Sequence, residues 1–184
     1  MLPVKNIQST LNALFFVAVV GASTLSCSRA DFEPVTYLLP EGYTGPIYVV
    51  YGIQSGKEAE RVDGRRIYRI PKDGILLTQY KVNEGWVGKA DIRFFYQKDD
   101  EGKIAIPHKR SIQNIDANQT DRVYAVAGSI GQFDGPQPLD CKVAYQQHFI
   151  GEKSILGTMS MNVRLSEYLI DAGVTCADIK GKSR

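Results

Sequence analysis

The chain has 184 residues, of which 43% are hydrophobic and 23% charged, with 22 basic against 20 acidic side chains. This allows one ordinary globular domain with a real core plus a targeting segment, and it excludes a disordered or low-complexity chain. A net charge of +2 without any block of like charge argues against a nucleic-acid binder, which concentrates basic residues on one face.

The first element is an export signal. Lys5 gives a weakly positive start, and residues 11–25 are almost all apolar or small. The run is short for a membrane span and is closed at once by Ser26, Cys27, Ser28 and Arg29. It fits the hydrophobic region of a signal peptide. Its end, Thr24-Leu25-Ser26-Cys27, resembles the lipobox of bacterial lipoproteins, in which a small residue precedes a cysteine that is acylated and becomes the new N-terminus. Leu25 stands one place later than that pattern has its leucine, which leaves ordinary cleavage near residues 22–26 as the alternative. The resemblance implies lipidation at Cys27, a membrane partner through that lipid, and a location in the bacterial cell envelope. In a Gram-negative cell, Ser28 resembles the case that permits the outer membrane, facing the periplasm. The alternative is a soluble periplasmic or secreted protein. Several acyl chains hold a protein stably where one is marginal.

The expected organisation is a signal peptide over 1–26, a lipid-anchored tether over 27–34, a β domain with a C-terminal helix over 35–176, and a flexible tail over 177–184. Residues 35–39 read as a first strand. The Pro40-Glu41-Gly42 turn follows, its proline presetting φ and its glycine free to take positive φ. Residues 47–51 are apolar on both faces, as in a central strand. Asp63-Gly64 is a tight-turn pair ahead of a strand over 66–70, which Pro71 ends. Another strand over 75–80 follows Asp73-Gly74. Trp86, the only tryptophan, reads as a loop aromatic folded over a sheet edge, with an exposed aromatic for a sugar or partner as the alternative. Residues 91–97 alternate, with Ile92, Phe94 and Tyr96 on one face and Asp91, Arg93, Phe95 and Gln97 on the other. The acids at 99–101 form a solvated turn, since the spacing of a calcium loop is missing. Residues 103–107 pair back. A strand over 122–128, a Gly/Pro loop over 131–138 and an alternating strand over 141–150 complete the β pattern. Leu165, Tyr168, Leu169 and Ala172 then recur at helical spacing before Gly173, so one amphipathic helix is expected near 163–172, with a shorter turn near 154–159. The resulting fold class is mainly β: an antiparallel, sandwich-like domain with one C-terminal helix on the sheet.

With Cys27 assigned to the lipid, Cys141 and Cys176 remain as an even pair. Export places them where disulfides persist, so a Cys141–Cys176 bridge is expected, fastening the helical tail to the last strand.

Two motifs carry a further resemblance. Leu39-Pro40-Glu41-Gly42-Tyr43-Thr44-Gly45, with Tyr68-Arg69-Ile70-Pro71-Lys72-Asp73-Gly74-Ile75-Leu76 read as a hairpin, is similar to a family of bacterial envelope lipoproteins with a domain of unknown function. The likeness covers about residues 37–97. It implies an exported β domain and brings no catalytic residue.

Known chemistry is not visible. His108 and His148 lack metal-ligand spacing, and His148 with Glu152 reads as a surface pair. Ser129 follows Gly128 but has Ala127 where a nucleophile elbow has glycine. Asn118-Gln119-Thr120 matches a glycosylation acceptor, which has no meaning in a bacterial lipoprotein. No catalytic residue, metal or cofactor is expected. The leading expectation is a non-enzymatic envelope module that meets an unidentified envelope protein or wall component. The alternatives are a carbohydrate or small-ligand binder using Tyr43, Tyr48 or Trp86, and an envelope hydrolase.

Overall fold

The structure, a computed structural model, describes residues 32–83, 91–98, 102–134, 141–159 and 165–179. The expected signal segment, Cys27, Trp86, the acids at 99–101 and the residues beyond 179 lie outside them.

Among the described residues the strands are β1 (Val35–Pro40), β2 (Gly45–Tyr51), β3 (Glu60–Val62), β4 (Arg65–Arg69), β5 (Ile75–Thr78), β6 (Ile92–Gln97), β7 (Lys103–Ile106), β8 (His108–Lys109), β9 (Tyr124–Asp134) and β10 (Lys142–Gly151). Two helices, α1 (Lys153–Leu156) and α2 (Leu165–Asp171), follow. The strands form two five-stranded sheets, ordered β3-β4-β1-β6-β7 and β5-β2-β10-β9-β8.

The sheets are mixed, which corrects the antiparallel expectation. β1 runs parallel to both β4 and β6, β2 parallel to β5, and β8 parallel to β9. The cause lies in the short connections. The Pro40–Gly45 turn and the Ile70–Gly74 turn look like hairpins in sequence, but each carries the chain from the first sheet to the second. Two such arches stacked on one another place β1 beside β4 and β2 beside β5, both in parallel. Tyr43 organises the stack: its hydroxyl donates to the Pro46 carbonyl at 2.6 Å, and its own carbonyl accepts from Tyr96 at 2.7 Å. Gly74, at φ +80°, lies against it. A Cβ there would collide with the Tyr43 hydroxyl and sit 2.7 Å from the Pro46 carbonyl. Asp63-Gly64, both at positive φ, does form the expected hairpin turn between β3 and β4.

The main core lies between the sheets. Val35, Tyr37 and Leu39 of β1 meet Ile47, Val49 and Tyr51 of β2, with Tyr68, Phe94 and Ile150 around them. A second cluster covers the other side of the second sheet: Tyr48, Val50 and Val143 pack against Leu165 and Leu169 of α2 and Val174 beyond it. Cys141, just before β10, is joined to Cys176, in a short 3-10 turn after α2, by a disulfide with Cα atoms 5.9 Å apart.

Three further expectations change. Among the described residues there are two α-helices rather than one, the shorter falling where a turn was expected near 154–159. The 131–138 segment is no loop throughout, because β9 continues to Asp134. His148 is no surface residue: it is 2% exposed and faces the core, while Glu152 stands at the N-cap position of α1 without a side-chain capping bond. The period-two pattern of 141–150 does hold, with Gln146, His148 and Ile150 inward. A bulge in β9 absorbs the register shift opposite Gln147.

Candidate functional site

After Phe32, which is buried in the main core, the chain is held at Glu33. Its backbone exchanges hydrogen bonds with the Asn83 side chain, N–H to Oδ1 at 3.0 Å and C=O from Nδ2 at 2.9 Å. Its carboxylate accepts from Arg66 at 2.8 and 3.0 Å and from Arg61 at 2.9 Å. Hydrogen bonding from Arg66, reinforced by Arg61 against the opposing effect of burial, holds the Glu33 carboxyl down to about 2. Arg66 is itself 6% exposed, also donates to the Lys81 carbonyl and stacks over the Tyr80 ring. The sequence signal was Arg65-Arg66 opening β4, which strand periodicity alone reads as surface.

The outer side of the first sheet carries no other element among the described residues. It is a shallow groove of about 220 Å³ whose floor includes Leu38, Ile67 and Phe95. Arginines on β4 and β6 roof it. Arg65 reaches across to the Thr36 hydroxyl, the Val35 and Asp91 carbonyls, and the Asp91 carboxylate. Arg69 forks onto Glu60 at 2.8 and 2.9 Å and reaches Gln97, and Arg93 forks onto Asp91. Their aliphatic stems explain why Leu38 and Thr36 are buried on a side that has no second layer. Arg69 and Arg93 remain more than half exposed, so their guanidinium groups can meet a carboxylate or phosphate in planar, forked geometry.

A second cleft of about 560 Å³ lies along β5, between the 54–58 loop and α2. Tyr168 of α2 donates to Asp73 at 2.9 Å, and the other Asp73 oxygen accepts the Ile75 N–H. Burial and then Asp73 push the Tyr168 hydroxyl up to about 12, which keeps it a donor.

Inside the core a polar row runs between the sheets. Tyr51 donates to Gln146 at 2.7 Å, and the His148 Nε2 lies 3.1 Å from Gln146 Nε2 and 3.2 Å from the Tyr37 hydroxyl. His108 lies beside it, ring centroids 5.9 Å apart, with Phe94 against both rings. Burial, then the neighbouring His108, lowers the His148 imidazole to about 3. Burial, then Arg110, lowers His108. Both rings are therefore neutral at physiological pH. Among the described residues no cluster of three or more His, Cys, Asp or Glu side chains could hold a metal.

The aromatic residues expected to bind a ligand do not form a platform. Tyr48 is 2% exposed and its hydroxyl accepts from Gln147, and Tyr43 is engaged by the arch. Trp86 and Cys27 lie outside the described residues. Ser129 bonds to Gln147 and Tyr145 within the second sheet. No helix among the described residues is long and apolar enough to cross a membrane.

Residues 32–154 match the profile of a family of unknown function, DUF6843, and the chain belongs to that family. The match begins where the described fold begins and ends in α1. The sandwich is thus the family's domain, and α2 and Cys176 lie past the matched residues. Among solved structures, the fold is similar to that of a candidate lipoprotein from Bacillus anthracis, with a TM-score of 0.50 and 14% identity over 76% of this chain and 90% of that one. Among curated proteins none matches.

Proposed function

We propose that the chain is a lipid-anchored protein of the bacterial cell envelope, acting as a non-enzymatic interaction module held close to a membrane. The observation that carries this reading is the short interval between Cys27 and Glu33. A fully extended tether of that length spans about 20 Å, so a lipid on Cys27 keeps the sandwich against the bilayer. The half-buried disulfide-forming pair, Cys141 and Cys176, suits an oxidising compartment. The surface that supports an interaction role is the arginine-roofed face of the first sheet, whose chemistry fits an anionic wall polymer or an acidic protein segment.

Labelling cells with a fatty-acid analogue tests the anchor. The wild-type protein takes up label and fractionates with membranes, whereas Cys27→Ser does neither. A wild-type protein that is soluble and unlabelled defeats the reading. Co-sedimentation with isolated cell-wall sacculi tests the face separately: Arg69→Glu with Arg93→Glu is expected to abolish salt-sensitive binding.

A further inference from the structure

A β-sheet has two edges, and each exposes unpaired N–H and C=O groups to any strand that arrives. Three of the four edge strands here are guarded. β3 is three residues long and carries Glu60 and Arg61. β7 is four residues long and opens on Lys103. The free side of β5 is occupied by Lys57, whose N–H donates to the Leu77 carbonyl at 2.8 Å and whose carbonyl accepts from Gln79 at 2.9 Å.

The fourth edge is different. β8 covers β9 only at Ala125 and Val126. From Ala127 to Asp134 the strand is bonded to β10 on one side, and no described strand lies on the other. The bulge opposite Gln147 blunts the near end, but Ile130 to Asp134 runs on in regular register. The sequence over 127–134, A-G-S-I-G-Q-F-D, has no proline and no lysine. Its single charge, Asp134, stands at the far end, held by Lys142 at 2.8 Å. Ile130 is 53% exposed.

We propose that this edge pairs antiparallel with the same edge of a second copy of the chain, joining two second sheets into one across a two-fold axis near Gly131 or Gln132. The occupant follows from the strand itself. An axis at either residue sets Asp134 opposite an uncharged position, Gly128 or Ile130 of the other copy, so no like charges face each other. Ile130 then meets Gln132 or Asp134 across the junction, and with the axis at Gly131 it also packs diagonally toward its own mate, losing exposure. An isologous contact of this kind closes on itself and does not propagate into fibres. This pairing does not depend on the lipid anchor.

The test is the mass of the whole chain in detergent, by light scattering corrected for bound detergent, at tens of micromolar. Amide hydrogen exchange over β9 is measured alongside it. The expected result is a dimer whose 129–134 amides are slow to exchange. Ile130→Lys and Gln132→Lys add an edge-guarding charge without removing a backbone bond to β10, and are expected to raise the dimer dissociation constant about tenfold or more. Ile170→Lys, at an equally exposed position on α2, should leave the dimer intact. A monomeric wild type, or a dimer that survives both β9 substitutions, overturns the proposal. A monomer whose β9 amides gain protection only when envelope extract is added would give the edge to a different partner, and also overturns it.

Discussion

The two sheets solve the same problem by different means. Each has one side in the shared core and one side that would otherwise face water. The second sheet covers its outer side with chain: α2 and Val174 lie over Tyr48, Val50 and Val143, and the Cys141–Cys176 bond holds that strap to the start of β10. The first sheet covers its outer side with side chains: arginine stems over Leu38 and Ile67, their charged ends tied to Asp91 and Glu60. Cover by chain buries Leu165, Leu169 and Val174 against the sheet, although a cleft stays open between α2 and the 54–58 loop. Cover by arginine is thin and leaves the Arg69 and Arg93 side chains more than half exposed, which is why the interaction role proposed above falls on the first sheet's face.

This contrast is most easily broken at the strap. Cys141→Ser with Cys176→Ser should cost about 4 kcal/mol by chain-entropy arithmetic for a separation of 35 residues, seen as a lower denaturation midpoint under non-reducing conditions. Reduction of the wild type should reproduce the loss. Leu169→Ala, at a fully buried position, should cost about 3 kcal/mol in chemical denaturation, because the strap cannot collapse around the gap while the disulfide holds it. The core polar row gives a third, pH-dependent test. His148 and His108 have lowered folded pKa values, so below the unfolded value of 6.5 the unfolded chain takes up protons that the folded chain refuses. Stability is full above that pH and falls on acidification by about 1.4 kcal/mol per pH unit from His148, down toward about 3, with a smaller contribution of the same sign from His108. His148→Phe should flatten that slope in urea titrations between pH 6 and 4. Below 4.5 protonation of Glu33, which the fold holds ionised to about 2, steepens the fall. The smallest effect should come from the first sheet's cover. Arg69→Ala removes an exposed pair and should cost less than about 1 kcal/mol, with a midpoint barely moved in moderate salt.

Much of this fold is legible in the residues. The alternation of 92–97, the apolar run of β2, the Asp63-Gly64 turn and the helical spacing around Leu165 and Leu169 all sit where local periodicity puts them. What periodicity cannot convey is which sheet a strand joins. Pro40 to Gly45 has the length and composition of a hairpin, and only the contact of Tyr43 with Pro46 and Gly74 makes it an arch. Parallel pairing then follows as a consequence of stacking, a non-local event. His148 misled for a related reason: a lone histidine on an alternating strand reads as surface, and only the partners on other strands, Tyr37 and Phe94, make it interior. The site residues divide in the same way. Cysteine parity and an exported location led to the Cys141–Cys176 pairing, but the Glu33 clamp needed Arg66 and Asn83 brought from 33 and 50 residues away.

The clamp has a mechanical consequence. β1 is the middle strand of its sheet, and both neighbours, β4 and β6, run parallel to it. Tension arriving along a short lipid tether would meet the Asn83 and Arg66 contacts first, and then pull β1 along its own axis. Its ladders to β4 and β6 would have to shear together, since neither is at an edge where bonds can be unzipped one at a time. An anchor of the kind proposed above would thus load β1 in shear against two ladders at once.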